Sequence, residues 1–553
     1  MSAEYRPWFE KYPNRFKDET QILNESGFRL NEQIFEEEGR VQFEGSHPNY
    51  PSRNLTIRFP GAFPSIPPTV SDTSDSLLLS RHHAPHTRQL CLFGVRHSRW
   101  TAALSSQDVL NETQDLIQRF GIENSASQDD VVPEPMSATL PYGPDEYIFV
   151  PPPIAALEIP QGQRQSGEVS FRYAIESKCF KYGRGVVVSA KLGGRVLKAQ
   201  PEYEGILAHN SQIFSATLLF PQTPSTVEAL LAYVLDQIGD QKFSKKRATR
   251  WFALVFQEQS GSIAGVRIAW VFARVDSNNN VQWIRAFPYR PEERMARIPA
   301  LQGIQNNCIA FIGCGCLGSK IAVNLAASGI QAFALTDSDY MEPYNSVRHE
   351  VGIPSFGLAK PEALFRRLRN VNPEVRANLL RFEVGTPAPV DIERQFHEVL
   401  SGASLIVDTT GSHGVSRWVN DLALDLGVPA VFASVTNGAW GGEVVRTIPN
   451  QTACWMCWNE QYSNSPPPSE PTGAIFAPGC NQPSFTGTTY DAAIVASLAS
   501  SIIVDTLMTT SPKGRSYKGD YIRWSARNES GPLLKAEILS INRRPDCRFC
   551  SNQ

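Results

Sequence analysis

The chain is 553 residues long, with a net charge of −3, 42% hydrophobic and 19% charged residues. That length exceeds what one hydrophobic core organises, and at roughly 150 residues per domain it points to three or four domains. A near-neutral charge without a long basic run excludes the electrostatic footprint of a nucleic-acid or anionic-membrane binder.

The opening "MSAEYRPWFEKYPNRF" mixes charges with aromatics and lacks the apolar core of a secretory signal, so a cytoplasmic protein is expected. Its ten cysteines are then expected as metal ligands, nucleophiles or packing rather than disulfides. Residues 1–123 begin with a helix around Trp8 to Leu23, followed by strand alternations in "RVQFEG" and "LTIRF", where Val41, Phe43, Leu55, Ile57 and Phe59 share parity within each run. "FPSIPP" is too proline-rich for a central strand and reads as an ordered edge or turn. "RQLCLFGVRHSRW" carries Cys91, which on local sequence alone packs as a small hydrophobe. A helix follows over "SSQDVLNETQDLIQRF", capped by Ser105 or Ser106, with Val109, Leu110, Leu116 and Ile117 on one face.

Residues 124–164 turn to Ser, Asp and Pro and end in "VPPPIAALEIP", the composition of a semi-stiff linker. Residues 165–290 read as a mixed α+β domain of unknown role, with strands in "GVVVSAKL", "IFSATLLF", "RWFALVF" and "VRIAWVFARV" and a helix in "TVEALLAYVLDQI". No chemical motif stands there. In residues 291–553 the longest apolar stretch, "AAIVASLASSIIVDTLM", is short and serine-broken for a membrane span and is expected as a buried helix.

Within that last segment, "CIAFIGCGCLGSKIAVNLAASGI" is an apolar strand, then Gly313, Gly315 and Gly318 in G-x-G-x-x-G spacing, then a helix. Glycines let the backbone turn tightly and approach a phosphate, while the helix start presents N–H groups and the positive end of its dipole. Asp337 closes the second strand, "AFALTD", where a ribose-binding acid belongs, which suits NAD as well as ATP. Asp339, Asn345, Arg348 and Lys360 follow within a short stretch. Cations and an amide at that place serve attack on an α-phosphate, where charge develops, and have no use in hydride transfer.

These residues resemble the adenylating domain shared by ThiF, MoeB and the ubiquitin-activating enzymes, whose D-x-D, N-x-x-R and downstream lysine fall on Asp337 and Asp339, Asn345 and Arg348, and Lys360. The resemblance implies a Rossmann-like domain using ATP and Mg2+. The family's late magnesium-holding aspartate falls on Gly411, and Asp408 is the substitute nearby. The family also donates an arginine across a homodimer from just before the first strand, for which Arg294 and Arg297 are the candidates.

"CWMC" (Cys454, Cys457) and "CRFC" (Cys547, Cys550) together make the thiolate count of a tetrahedral structural zinc, a placement also similar to the adenylating family. Cys480 sits in the Pro/Gly-rich "PPPSEPTGAIFAPGCNQPSFTGTT". In ubiquitin-activating relatives a cysteine on the corresponding loop takes the activated carboxylate as a thioester. Cys179, Cys308, Cys314 and Cys316 read as packing.

With an activating domain downstream, residues 1–123 resemble a ubiquitin-conjugating α+β domain: an amphipathic helix, a meander, "FPSIPP" like the family's Y-P-x-x-P-P, then "QLCLF" and Trp100 like its catalytic I-C-L and following W. That makes Cys91 the expected second thioester nucleophile. The family's H-P-N is replaced by "RHHAPHT", leaving His82, His83 or His86 to supply an oxyanion donor. The order of domains resembles the bacterial fusion transferases of cyclic-oligonucleotide antiphage systems (CBASS). That implies conjugation of a cGAS/DncV-like nucleotidyltransferase (CD-NTase), through its C-terminal carboxylate, to a target amine. The rival expectations are a ThiF-type sulfur-carrier adenylyltransferase and a nucleotide-binding scaffold.

Overall fold

Pro13 splits the first helical stretch into α1 (Trp8–Lys11) and α2 (Pro13–Glu25), because proline is tolerated at a helix's first position and has no N–H to continue the preceding turn. The computed structural model describes all residues except 1–5, 75–87, 94–97, 121–136, 138–139, 161–165, 177–181, 201–202, 204–210, 223–226, 239–248, 260–265, 386–388, 472–474, 477–482, 485, 509–516 and 551–553. The chain divides into two compact units, Met1–Arg290 and Pro291–Gln553.

In the first unit β1 (Arg29–Leu30), α3 (Glu32–Glu38), β2 (Gln42–His47), β3 (Tyr50–Arg58) and β4 (Thr69–Asp72) follow α2, and the four strands form an antiparallel meander in that order. Val41, Phe43, Leu55, Ile57 and Phe59 are buried, as their alternation predicts. α4 (Ser106–Phe120) buries Val109, Leu110, Leu116 and Ile117, and Ser105 ahead of it bonds Asp108 through both its N–H and its hydroxyl. The proline-rich turn is anchored from a distance: Trp100 Nε1–H donates to the Pro64 carbonyl at 2.8 Å, and Phe63 packs 4.7 Å from Trp8.

The expected linker is only partly one. Residues 142–150 form β5 (Tyr142–Val150), and Ile148, Val150 and Ile154 are fully buried. Prolines on either side hid a strand whose inward positions are apolar. The strands β6 (Gly167–Glu176), β7 (Tyr182–Leu192), β8 (Arg195–Lys198) and β9 (Gln212–Leu219), the helix α5 (Val227–Ile238) and the strands β10 (Thr249–Gln259), β11 (Val266–Asp276) and β12 (Val281–Pro288) complete this part. The sheet order is β5-β12-β11-β10-β9-β6-β7-β8, and β5 also pairs with β7, so seven strands close into a barrel with β8 appended. Trp251, Ala253 and Val255 of β10 join one core cluster, while Phe252, Leu254 and Phe256 pack with Leu230 and Val234 of α5. A strand buried on both faces reads as an unbroken apolar run, which is how "RWFALVF" looks in the sequence.

The second unit starts with α6 (Pro291–Met295), then β13 (Cys308–Ile312), α7 (Cys316–Ala327), β14 (Ala332–Thr336), α8 (Lys360–Val371), β15 (Arg376–Leu380), α9 (Val390–Ser401), β16 (Leu405–Asp408), α10 (His413–Leu426), β17 (Ala430–Val435), β18 (Gly441–Thr447) and α11 (Trp455–Tyr462). The pair β19 (Ile475–Phe476) and β20 (Pro483–Ser484), α12 (Thr489–Leu507), β21 (Tyr521–Asn528) and β22 (Gly531–Leu539) follow. The sheet order is β15-β14-β13-β16-β17-β18-β21-β22, parallel through β17 and antiparallel beyond. Alternate residues of β13 serve opposite layers: Ile309 and Phe311 face the cluster that includes α7, α8 and α12, and Ala310 and Ile312 face the one that includes α9, α10 and α11. α12 is the single helix among the described residues long and apolar enough to cross a membrane. It is a core helix, with Ala492, Val495, Ala496, Ala499, Ile502 and Ile503 buried.

Candidate functional site

The chain passes from β13 to β14 and β15 on one side, then returns to β16 on the other. Ligands of open parallel sheets sit at the carboxyl ends of the strands where the order reverses. Gly313, with φ +95°, makes the turn out of β13, and its N–H bonds the Thr336 carbonyl at 2.9 Å. A Cβ on Gly318 would lie 2.2 Å from the Gly313 carbonyl and 2.7 Å from Thr409 Oγ1, so that glycine is demanded by close packing. Gly315, the residue just before α7, is different: a Cβ there meets no protein atom within 4 Å. The protein leaves open space where the helix presents its first N–H groups.

Asp337 braces the loop, its Oδ2 accepting from Cys314 N–H at 2.7 Å and its Oδ1 from Asp339 N–H at 2.9 Å. Lys360, at the start of α8, reaches Asp339 Oδ2 at 2.6 Å, and its own N–H bonds the Asp339 carbonyl at 2.9 Å. Asn345 closes a short 3-10 turn by accepting from Glu342 N–H at 3.0 Å, and its carbonyl receives the N–H groups of Arg348 and His349 at 3.0 and 2.8 Å. The structure therefore gathers Gly313, Gly315, Gly318, Asp337, Asp339 and Lys360 at one end of the sheet, with Asn345 and Arg348 on the segment that follows β14.

Asp408 is placed otherwise. It is 2% exposed, Oδ1 accepts from the N–H and hydroxyl of Thr410, and Oδ2 accepts from Ser416 at 2.6 Å. Burial pushes its carboxyl above the usual range. It lines a small cavity of about 50 Å³ together with His413, Glu443 and Trp458. A larger aromatic cavity of about 590 Å³ lies beyond β15, where Phe382 and Val384 face Val415 and Trp418 of α10 and Phe396 of α9. Phe396 and Trp418 stack at 5.8 Å. Arg294 donates to the Ala326 and Ala327 carbonyls, and Arg297 is exposed.

Three groups at the site escaped the sequence reading. His349, 8% exposed, bonds the Cys314 carbonyl; Lys320 pairs with Glu350 at 3.0 Å; and Thr409 holds the Gly313 carbonyl at 2.8 Å. His349 adjoins Arg348 in "SVRHEV", which was the only local signal.

Cys91 is exposed, while its neighbours Leu90, Leu92 and Phe93 are buried and Leu90 N–H bonds the Val70 carbonyl at 2.8 Å. The thiol is therefore not part of the core. Cys314 is fully buried, and burial pushes the thiols of Cys308, Cys314 and Cys316 up, away from the thiolate form. Cys480, Cys179, His82, His83 and His86 lie outside the described residues.

Cys454, Cys457, Cys547 and Cys550 come together with all Sγ atoms within 4.8 Å of one another. Separations of 3.9 Å (Cys454 to Cys457), 3.6 Å (Cys454 to Cys547) and 3.6 Å (Cys457 to Cys550) match the edge of about 3.8 Å of a tetrahedron with metal–sulfur bonds of about 2.3 Å. Cys454 precedes α11 and Cys457 lies in its first turn, and Arg544 N–H points to Cys457 Sγ at 3.5 Å. The donor set and spacing fit a metal ion.

The ThiF family model matches residues 292–548. These residues form a ThiF/MoeB-like adenylation domain. Over nearly its whole length the chain is 24% identical to the uncharacterized protein y4oA of Sinorhizobium fredii (strain NBRC 101917 / NGR234), with 88% of each chain covered. It is 27% identical to the ATP-dependent ubiquitin transferase-like protein Cap2 of Enterobacter hormaechei subsp. hoffmannii (strain UCI 50), over 27% of this chain and 24% of Cap2. It is 25% identical to ubiquitin-like modifier-activating enzyme 5 of Gallus gallus, over 30% of this chain and 43% of that one. The chain thus spans less than half of either enzyme. The crystal structure of E. coli MccB with ATP aligns at a TM-score of 0.35 and 20% identity, over 46% of this chain and 70% of MccB.

Proposed function

We propose that this protein activates the C-terminal carboxylate of a protein partner with ATP and passes it through two thioesters to a target amine. A carboxylate oxygen attacks the α-phosphorus and pyrophosphate leaves, giving an acyl-adenylate. The Cys480 thiolate attacks the acyl carbon and releases AMP. The Cys91 thiolate then exchanges for Cys480, and the target amine displaces Cys91 to form an amide. The observation that carries the adenylation step is the open space at Gly315 within a ThiF-type domain, with Lys360 near enough to act on the charge of Cys314 and Arg348 on that of Cys316. Lys360 and Arg348 stabilise the charge that develops on the phosphates, and the aromatic cavity beside Phe382 offers stacking surface for the purine. Mg2+ accompanies the triphosphate. Asp408 is buried, whereas Asp339 is exposed beside the loop, so Asp339 is the better-placed ligand. Zn2+ is held by the four thiolates and pins residues 547–550 to α11, a structural rather than reacting metal.

The exposed thiol of Cys91, on a strand-and-helix platform with Trp100 tied to the proline-rich turn, supports a conjugating-like role for residues 1–123. Tyr344, Val347, Ile353 and Phe356 are each more than 60% exposed beside the nucleotide residues, which supports a homodimer that covers them. Similarity to an ATP-dependent ubiquitin transferase-like protein supports transfer involving a protein partner; that the partner is a CD-NTase in antiphage signalling, in the cytoplasm, rests on the order of domains in the sequence. The sulfur-carrier reading is favoured by one observation, 26% identity over 32% of this chain to the yeast adenylyltransferase and sulfurtransferase UBA4. Mass spectrometry of adducts trapped after incubation with ATP and a CD-NTase decides between them. A thiol-labile protein adduct on Cys91 supports conjugation, and an inert Cys91 with carrier thiocarboxylate formation supports the rival.

A further inference from the structure

Cys314 stands between two glycines, so the peptide groups flanking it have little steric restraint of their own. The structure holds it from both sides. Its N–H donates to Asp337 Oδ2 at 2.7 Å, and its carbonyl oxygen lies 2.7 Å from His349 Nε2. The other ring nitrogen fixes the proton: Val351 N–H donates to His349 Nδ1 at 3.0 Å, so Nδ1 is the acceptor and Nε2–H donates to the Cys314 carbonyl. Burial holds the ring's pKa at about 4; Lys360 and Lys320 act in the same direction, and the Cys314 carbonyl and Glu350 oppose them. The ring is neutral at physiological pH, as this tautomer requires. The segment is tied to α7 as well, through Glu350 N–H to Ser319 Oγ at 3.3 Å and Lys320 to Glu350 at 3.0 Å.

We propose that His349 is a positioning residue for the nucleotide: it clamps the Cys314 carbonyl to the backbone that carries Arg348, so the glycine loop and the root of that arginine keep one fixed relation before ATP arrives. The proposal rests on the adenylation reading above. Donors fixed in advance spare the ligand the cost of ordering them, so losing the clamp lowers affinity for ATP without removing any group that touches it.

Two variants separate the clamp from the local turn. In His349→Asn the side-chain oxygen stands near the place of Nδ1 and keeps the bond from Val351, while the reach to Cys314 is lost. In His349→Gln the amide nitrogen stands near the place of Nε2 and keeps that reach. The full chain is titrated with Mg-ATP by calorimetry, with thermal unfolding recorded alongside. His349→Asn should weaken ATP binding about tenfold, the worth of one buried hydrogen bond, and His349→Gln should stay within about twofold of wild type. Unchanged affinity in the Asn variant, or equal loss in both, overturns the clamp. Should the Asn variant fail to fold, the Gln variant decides alone, wild-type affinity supporting the clamp and a tenfold loss removing it. Wild-type protein that binds no Mg-ATP is a separate failure, that of the adenylation reading.

Discussion

At the glycine loop the backbone is held at almost every step: Gly313 by Thr336 and Thr409, Cys314 by Asp337 and His349, Asp339 by Asp337 and Lys360. Around Cys91 the chain is held by a few backbone bonds, such as Leu90 N–H to the Val70 carbonyl, and by the burial of Leu90, Leu92 and Phe93 on either side of an exposed thiol. The first arrangement shapes backbone to receive charge, and it demands particular residues at particular spacings. In the proposed function the second only has to present a nucleophile, for which packing of its neighbours is enough. A site built on backbone geometry therefore leaves a motif, whereas a site built on one side chain leaves a single letter.

The sharpest way to break this contrast is to remove the single letter. Cys91→Ala should reduce amide product by at least about 100-fold while ATP-dependent pyrophosphate exchange stays detectable. Full conjugation by that variant, read by gel shift and mass spectrometry, would return Cys91 to ordinary surface.

The next largest effect lies outside both sites. Cys547→Ser takes one corner from the thiol cluster and should cost about 4 kcal/mol, or about 10 °C in Tm. Metal analysis of fresh wild-type protein should give one zinc per chain, and its absence would dismiss the site.

Within the loop, two glycines should part company. Gly318→Ala forces a methyl against the Gly313 carbonyl and should destabilise the fold by about 2 kcal/mol in chemical denaturation. Gly315→Ala meets open space and should leave stability within about 0.5 kcal/mol while weakening Mg-ATP binding about tenfold. Equal stability losses would mean that Gly315 serves packing and not a ligand.

The smallest expected effect is one of pH. Burial raises Glu443 from its ordinary value of 4.5, with Tyr521 and Ser434 partly offsetting the shift. The folded state thus keeps a proton that the unfolded state has lost. That stability is present below the unfolded pKa and is lost as pH rises through the folded one. Glu443→Gln should flatten this part of the stability curve, by no more than about 1.4 kcal/mol per pH unit, the limit for one proton. An unchanged slope would show that Glu443 does not carry it.

Much of this was legible in the letters. The strand, glycine loop and helix at residues 308–327, the two C-x-x-C knuckles and the alternation of Val41, Phe43, Leu55 and Ile57 are local patterns, and each follows from what a few consecutive residues require of their backbone. What those residues meet across the chain was decided only on folding. β5 joins β12 and β7 to close a barrel because its inward side chains find apolar partners more than thirty residues away, a match that neighbouring prolines concealed. Cys454 meets Cys547 across 93 positions, and Asp408 turns inward to Ser416 rather than toward the loop. His349 reaches Cys314 from 35 residues downstream. Sequence spacing determines which conformations a short segment can adopt. Which partners complete its hydrogen bonds depends on surfaces that exist only once distant segments have packed together.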